Sequence, residues 1–133
     1  MELKYIGDIY YCGQKAPWGK GVVAGNTVYL SGVDGIDPKT GEFPKEVETQ
    51  TDLALEKAKE RLNEVGSNTD HIVRFVSYVV GRENIDGYRK SKDMWFRRNY
   101  NLPSPIYAST LIVVAGLARP EMIVEFDITA VVK

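Results

Sequence analysis

Hydrophobic and polar positions repeat along this chain with two periods, and the clearest is the strand-like alternation of residues 122–132. There Val124, Phe126, Ile128 and Ala130 share one side, while Glu125, Asp127 and Thr129 share the other. Successive carboxylates on the polar side would stand about 7 Å apart, too far to share a proton but suited to setting one acid beside a pocket. Residues 107–115 are β-branched and nearly free of charge. That is the pattern of a strand covered on both faces in the middle of a sheet. A turn at residues 116–120, with Gly116 and Pro120, separates the two.

Earlier in the chain, residues 5–11 predict an edge strand and residues 12–19 an irregular loop carrying Pro17 and Trp18. Residues 22–24 and 27–32 flank Gly25-Asn26, a two-residue linker suited to positive φ, and predict a tight hairpin. Residues 34–41 are rich in turn formers; they lack the Gly-Lys-Ser/Thr ending of a phosphate loop. Over residues 46–65, Thr51, Ala54, Leu55, Ala58, Leu62 and Val65 recur at helical steps, with Glu and Lys on a solvated face and Gly66 as the stop. Residues 70–80 predict the next strand. A second helix begins at Asn84 or Asp86, turns Tyr88, Ser91, Met94 and Trp95 inward, and carries a basic side of Arg89, Lys90, Lys92, Arg97 and Arg98. The chain leaves it through the prolines of residues 101–105.

This order predicts one α+β domain over residues 1–133, a mixed β-sheet with two helices packed on one face. The apolar strand at residues 107–115 then calls for a second subunit on the other face. With 133 residues, 44% of them hydrophobic, the chain is long enough for a real core. A formal net charge of −1 supplies no global field for nucleic acid or anionic lipid. The single Cys12 cannot form an internal disulfide, and the N-terminal residues lack the apolar core of a signal peptide, so a reducing cytoplasm is the expected location. No apolar run approaches the roughly 20 residues that span a bilayer, so no membrane partner is expected. His71 is the only histidine; without cysteines or a second histidine near it, it reads as a surface or capping residue rather than a metal ligand or triad member.

Several runs together resemble the RidA/YjgF family, the reactive-intermediate (enamine/imine) deaminases also called L-PSP endoribonuclease-like proteins. They are Ala24-Gly25-Asn26 with residues 28–32, residues 37–42, Gln50-Thr51 with Ala54-Leu55, Val65-Gly66, and residues 124–131. The resemblance implies a chorismate-mutase-like fold and a homotrimer with clefts between subunits. It also implies hydrolysis of short-lived enamines and imines to a 2-keto acid and ammonia, with neither metal nor organic cofactor. Carried onto this chain, the family's cleft tyrosine falls on Trp18, its strand serine on Ser31 and its C-terminal acid on Glu125. The asparagine that lines the cleft in some members falls on Lys92.

One departure stands out. Where deaminases of the family carry arginine, this chain has Ser109 in Tyr107-Ala-Ser-Thr110. A guanidinium grips a carboxylate with two parallel hydrogen bonds, and a hydroxyl cannot. The expected activity is therefore hydrolysis of a small enamine or imine other than the usual 2-imino acid, with Glu125 and Ser31 catalytic and Trp18, Tyr107, Ser109 and Arg119 binding the substrate. Arg119 or Lys92 is the candidate replacement cation. A non-catalytic metabolite-binding trimer is the alternative; endoribonuclease activity is the less favoured one, because RNA cleavage usually needs paired acid/base groups and phosphate-binding cations.

Overall fold

The two hydrophobic periods resolve into a seven-stranded sheet and two helices in the computed structural model, which describes residues 1–11, 13–100 and 106–132. In chain order the elements are β1 (Leu3–Tyr11), β2 (Gln14–Ala24), β3 (Thr27–Leu30), β4 (Val33–Asp34), α1 (Val47–Asn63), β5 (Ile72–Val80), α2 (Ile85–Asn99), β6 (Ala108–Val114) and β7 (Val124–Val131). The sheet runs β1-β2-β3-β7-β5-β6, with β4 also paired to β7. Among the described residues only β5 and β6 pair in parallel. A parallel pair cannot be joined by a tight turn, and α2 lies in the connection between them. The result is the expected α+β mixed sheet. Cys12 and the prolines of residues 101–105 lie outside the described residues.

The core forms where the alternating side of β7 meets the helical stripes. Val124, Phe126, Ile128 and Ala130 are each 0% exposed, and they join Ala54, Leu55, Ala58 and Leu62 of α1 in one buried cluster. Removing this apolar area from water is the main driving force for the layer. From α2 the cluster takes Tyr88, Trp95 and Phe96. Phe96 replaces the expected Met94, which is 49% exposed. Positions 88, 92, 95 and 96 follow the 3.6-residue period, and 94 falls off that stripe.

The hairpin forms at Gly25, whose φ of +62° is the left-handed region its turn requires. Two other expectations are corrected. Residues 14–19 are part of β2 rather than a loop: between the pairs Asp8↔Gly19 and Tyr10↔Lys15, Ile9 faces three residues that include Pro17, and this irregularity accommodates a proline that could not donate to a regular ladder. β6 is an edge strand of this chain, not a central one, and it leaves Ile112 40% and Val113 38% exposed. Its composition is that of a covered strand, yet among the described residues these two side chains stay partly open to solvent.

Gln50 locks α1 to the entrance of β7. Fully buried, it donates from Nε2 to the carbonyls of Pro44 (2.6 Å) and Glu121 (2.9 Å), and its Oε1 accepts from the Ile123 amide (2.9 Å). Gln50→Leu strands these backbone groups away from water. The variant is expected to lose about 3 kcal/mol in urea unfolding at an unchanged m-value. An unshifted midpoint would show that the clasp is not needed.

Candidate functional site

The main hollow opens where β7 changes partners. It pairs with β3 as far as Tyr29↔Thr129, then with β4 at Val33↔Phe126 and Asp34↔Glu125. Between the two, the chain bulges away through Ser31 and Gly32. The Ser31 amide donates to the Lys20 carbonyl (2.9 Å), and its Oγ donates to the Gly19 carbonyl (2.6 Å). That second bond fixes the hydroxyl proton and leaves the oxygen lone pairs as acceptors. Gly32 leaves room for the acid: a Cβ there would stand 2.8 Å from Glu125 Oε2, so a larger residue would push that carboxylate aside.

The hollow encloses about 760 Å³, and its lining includes Trp18, Ser31, Asp34, Arg61, Arg119 and Glu125. Four of the residues expected from sequence, Trp18, Ser31, Arg119 and Glu125, are thus brought together. Trp18 reaches it from the irregular part of β2 and is 52% exposed. Arg119 comes from the turn before β7 and also stands 3.8 Å from Glu121.

Burial, and then the carboxylates of Asp34 and Asp127, push the proton affinity of half-buried Glu125 above its ordinary value. Asp34 is held by Lys57 of α1, whose Nζ lies 3.0 Å from both its Oδ1 and its backbone oxygen. One turn further along α1, Arg61 reaches the same hollow. Burial lowers its pKa, Asp34, Glu64 and Glu60 oppose that shift, and its Nη1 has no hydrogen-bond partner among the described residues. Sequence reasoning missed Asp34, Lys57 and Arg61. The helix face expected to be solvated is partly folded under the 34–36 loop, and Lys57 is largely buried. The available signal was the i,i+4 spacing of two cations beside the buried stripe.

Tyr107 and Ser109 line a second, smaller depression of about 210 Å³ between β6 and α2, together with Lys92 and Arg89. Lys92 turns inward from the basic side of α2. Its Nζ lies 4.1 Å from the Phe75 ring centre and 4.9 Å from that of Tyr107, and donates to Tyr88 Oη (3.1 Å). The Tyr88 hydroxyl is in turn hydrogen-bonded to Ser77. Burial, with a smaller push from Arg89, lowers the Lys92 pKa to about 8. Burial chiefly raises that of Tyr107, so this phenol keeps its proton. His71 lines neither hollow; it ends a 3₁₀ turn (Thr69–His71), with Nε2 3.7 Å from Asp70. Among the described residues no cluster of His, Cys, Asp and Glu could hold a metal ion, and no helix is long and apolar enough to cross a membrane.

A family model described as Endoribonuclease L-PSP matches residues 12–132. The chain is 28% identical over 115 residues to a RutC family protein of Saccharolobus solfataricus, covering 86% of each. It is 39% identical over 59 residues to the chloroplastic Reactive Intermediate Deaminase A of Arabidopsis thaliana, covering 44% of this chain and 32% of that one. The fold superposes on the crystal structure of the YjgF gene product of E. coli with a TM-score of 0.84, at 24% identity over 98% and 99% of the two chains.

Lys92 makes the electrostatics testable. A lysine whose folded pKa is lowered takes up fewer protons in the native than in the unfolded state, so its contribution to stability rises with pH between the two values. The advantage of Lys92→Met over wild type is therefore expected to shrink between pH 8 and pH 10, by up to about 1.4 kcal/mol per unit. Urea melts that stay parallel across this range would contradict the buried cation.

Proposed function

The chain belongs to the Endoribonuclease L-PSP family, to which the RidA/YjgF proteins belong, and from that premise we propose that its main hollow hydrolyses a small reactive enamine or imine. The observation that carries the reading is Glu125, a carboxyl of raised proton affinity half-buried in a hollow beside Ser31, Trp18 and Arg119.

The chemistry calls for one group that gives and takes a proton near neutral pH. Protonated Glu125 delivers a proton to the enamine carbon and generates the iminium. As a carboxylate it then takes a proton from the water that attacks the iminium carbon. The carbinolamine so formed collapses to a carbonyl compound and ammonia. Ser31 Oγ, whose proton is committed to Gly19, offers a lone pair to an N–H of the substrate. Trp18 walls the hollow, and Arg119 supplies a cation for a substrate anion.

In this reading a second and third copy of the chain cover the apolar surface of β6, and the depression holding Tyr107 and Ser109 faces the main hollow of a neighbour. The exposed Ile112 and Val113 support such an assembly. Ser109 leaves the neighbour's side of that cleft without a guanidinium, which turns selection away from the usual 2-imino acid. The same feature favours the alternative of a trimer that binds a metabolite without turning it over. Endoribonuclease chemistry finds less support, because the single histidine lies outside both hollows.

Ammonia release from a panel of freshly generated enamines tests the proposal. Wild type is expected to accelerate at least one of them, and Glu125→Ala to reduce that rate about 100-fold. Equal rates for the two proteins would remove Glu125 from the chemistry. A bound metabolite that raises the melting temperature yet yields no product would favour the binding alternative. Ser109→Arg is expected to gain breakdown of 2-aminoacrylate; no gain would mean that the cleft differs at more than this position.

A further inference from the structure

The depression between β6 and α2 contains a lysine in an arrangement that surface lysines do not have. Lys92 Nζ lies over the ring of Phe75 and beside those of Tyr107 and Tyr88, and it donates a hydrogen bond to the Tyr88 phenol. No carboxylate forms an ion pair with it among the described residues. Asp93, the acid of the same depression, is bound to Arg97 at 3.0 Å. The other groups lining this space are Arg89, Phe96, Ser109 and Leu111. The rings and the phenol hold the ammonium only weakly against burial and the second cation beside it, and no carboxylate offsets them.

We propose that Lys92 is an amine nucleophile that condenses reversibly with a small carbonyl compound bearing an anionic group, such as a 2-oxo acid. The Nζ lone pair adds to the carbonyl carbon, giving a carbinolamine. Loss of water, which carries away the carbonyl oxygen with both amine hydrogens, leaves a C=N bond to Lys92. No oxidant, reductant or metal enters the balance. Arg89, at the rim of the same depression, is the partner for the anion, and Ser109 offers a hydroxyl to it. The volume of about 210 Å³ suits a molecule of only a few heavy atoms. A Lys92 pKa of about 8 means that a large share of the amine is already neutral, the form that attacks, slightly above neutral pH. Tyr107, which keeps its proton, and Tyr88 and Ser77, already hydrogen-bonded to each other, leave Lys92 as the nucleophile here.

In the assembly proposed above this depression faces a neighbour's main hollow, but the amine chemistry does not use Glu125, and its test reads a covalent adduct rather than ammonia, so the two proposals fail separately. Wild-type protein is incubated with pyruvate, reduced with sodium borohydride, digested, and each lysine is scored by peptide mass spectrometry. Lys92 is expected to carry the pyruvate adduct at least tenfold more than any other lysine, with labelling that rises with pH around a midpoint near 8. Acetone, lacking the anion, is expected to label it several-fold less, and Arg89→Gln to reduce the pyruvate adduct several-fold. Lys92→Arg, checked for folding by its melting curve, removes the adduct. Labelling spread evenly over the lysines, or a Lys92 adduct that rises only toward pH 10, would overturn the proposal and leave Lys92 as an aromatic-packed structural cation.

Discussion

The period-two geometry of β7 is the constraint on which the rest depends. A strand sends alternate side chains to opposite faces, so burying Val124, Phe126, Ile128 and Ala130 beneath the helices fixes Glu125 on the other face. Slipping the register by one residue would put two carboxylates into the core and four apolar groups into water. The energetics of the hydrophobic layer therefore aim the acid, and no separate interaction is needed to do so. Gln50 reinforces the arrangement by holding the entry of β7 to α1. The partner change from β3 to β4 then opens the sheet beside Glu125.

Charge placement gives the two depressions different characters. In the main hollow, acids and cations are interleaved: Asp34 is neutralised by Lys57, and Arg61 and Arg119 stand nearby. Glu125 feels both burial and the neighbouring carboxylates, and both favour its protonated form. In the smaller depression the cations Lys92 and Arg89 meet aromatic rings, and burial favours the neutral amine. A carboxyl and an amine, each drawn toward its neutral form, thus line two separate hollows.

Much of the fold could be read from the chain because it rests on local rules. The Gly25-Asn26 hairpin, the α1 stripe and the sides of β7 follow from turn chemistry and periodicity alone. What escaped was set by contacts distant in sequence. An all-apolar strand reads the same whether its cover comes from its own chain or from another, so β6 was placed in the centre of the sheet and lies at its edge. Pro17 marked a loop, yet an irregular pairing of β1 with β2 keeps it in a strand. Trp18, Ser31, Arg119 and Glu125 line one hollow, but Asp34, Lys57 and Arg61 could not be foreseen, because charged residues on a helix look solvated until another segment is folded over them. Lys92 was read both as part of a basic face and, through the resemblance, as a cleft position; the packing of Phe75 and Tyr107 against it is what reveals its burial.

The central claim is that β7 holds Glu125 in a hollow where burial and the neighbouring carboxylates raise its proton affinity. Carbon-13 NMR titration of the glutamate carboxyls, with Glu125 assigned by comparison with Glu125→Gln, tests this most directly. The account predicts a Glu125 midpoint above the ordinary glutamate value of 4.5 and above the midpoints of the exposed glutamates. A midpoint at or below 4.5 would contradict it, since a carboxyl so easily ionised is neither desolvated nor suited to delivering the proton.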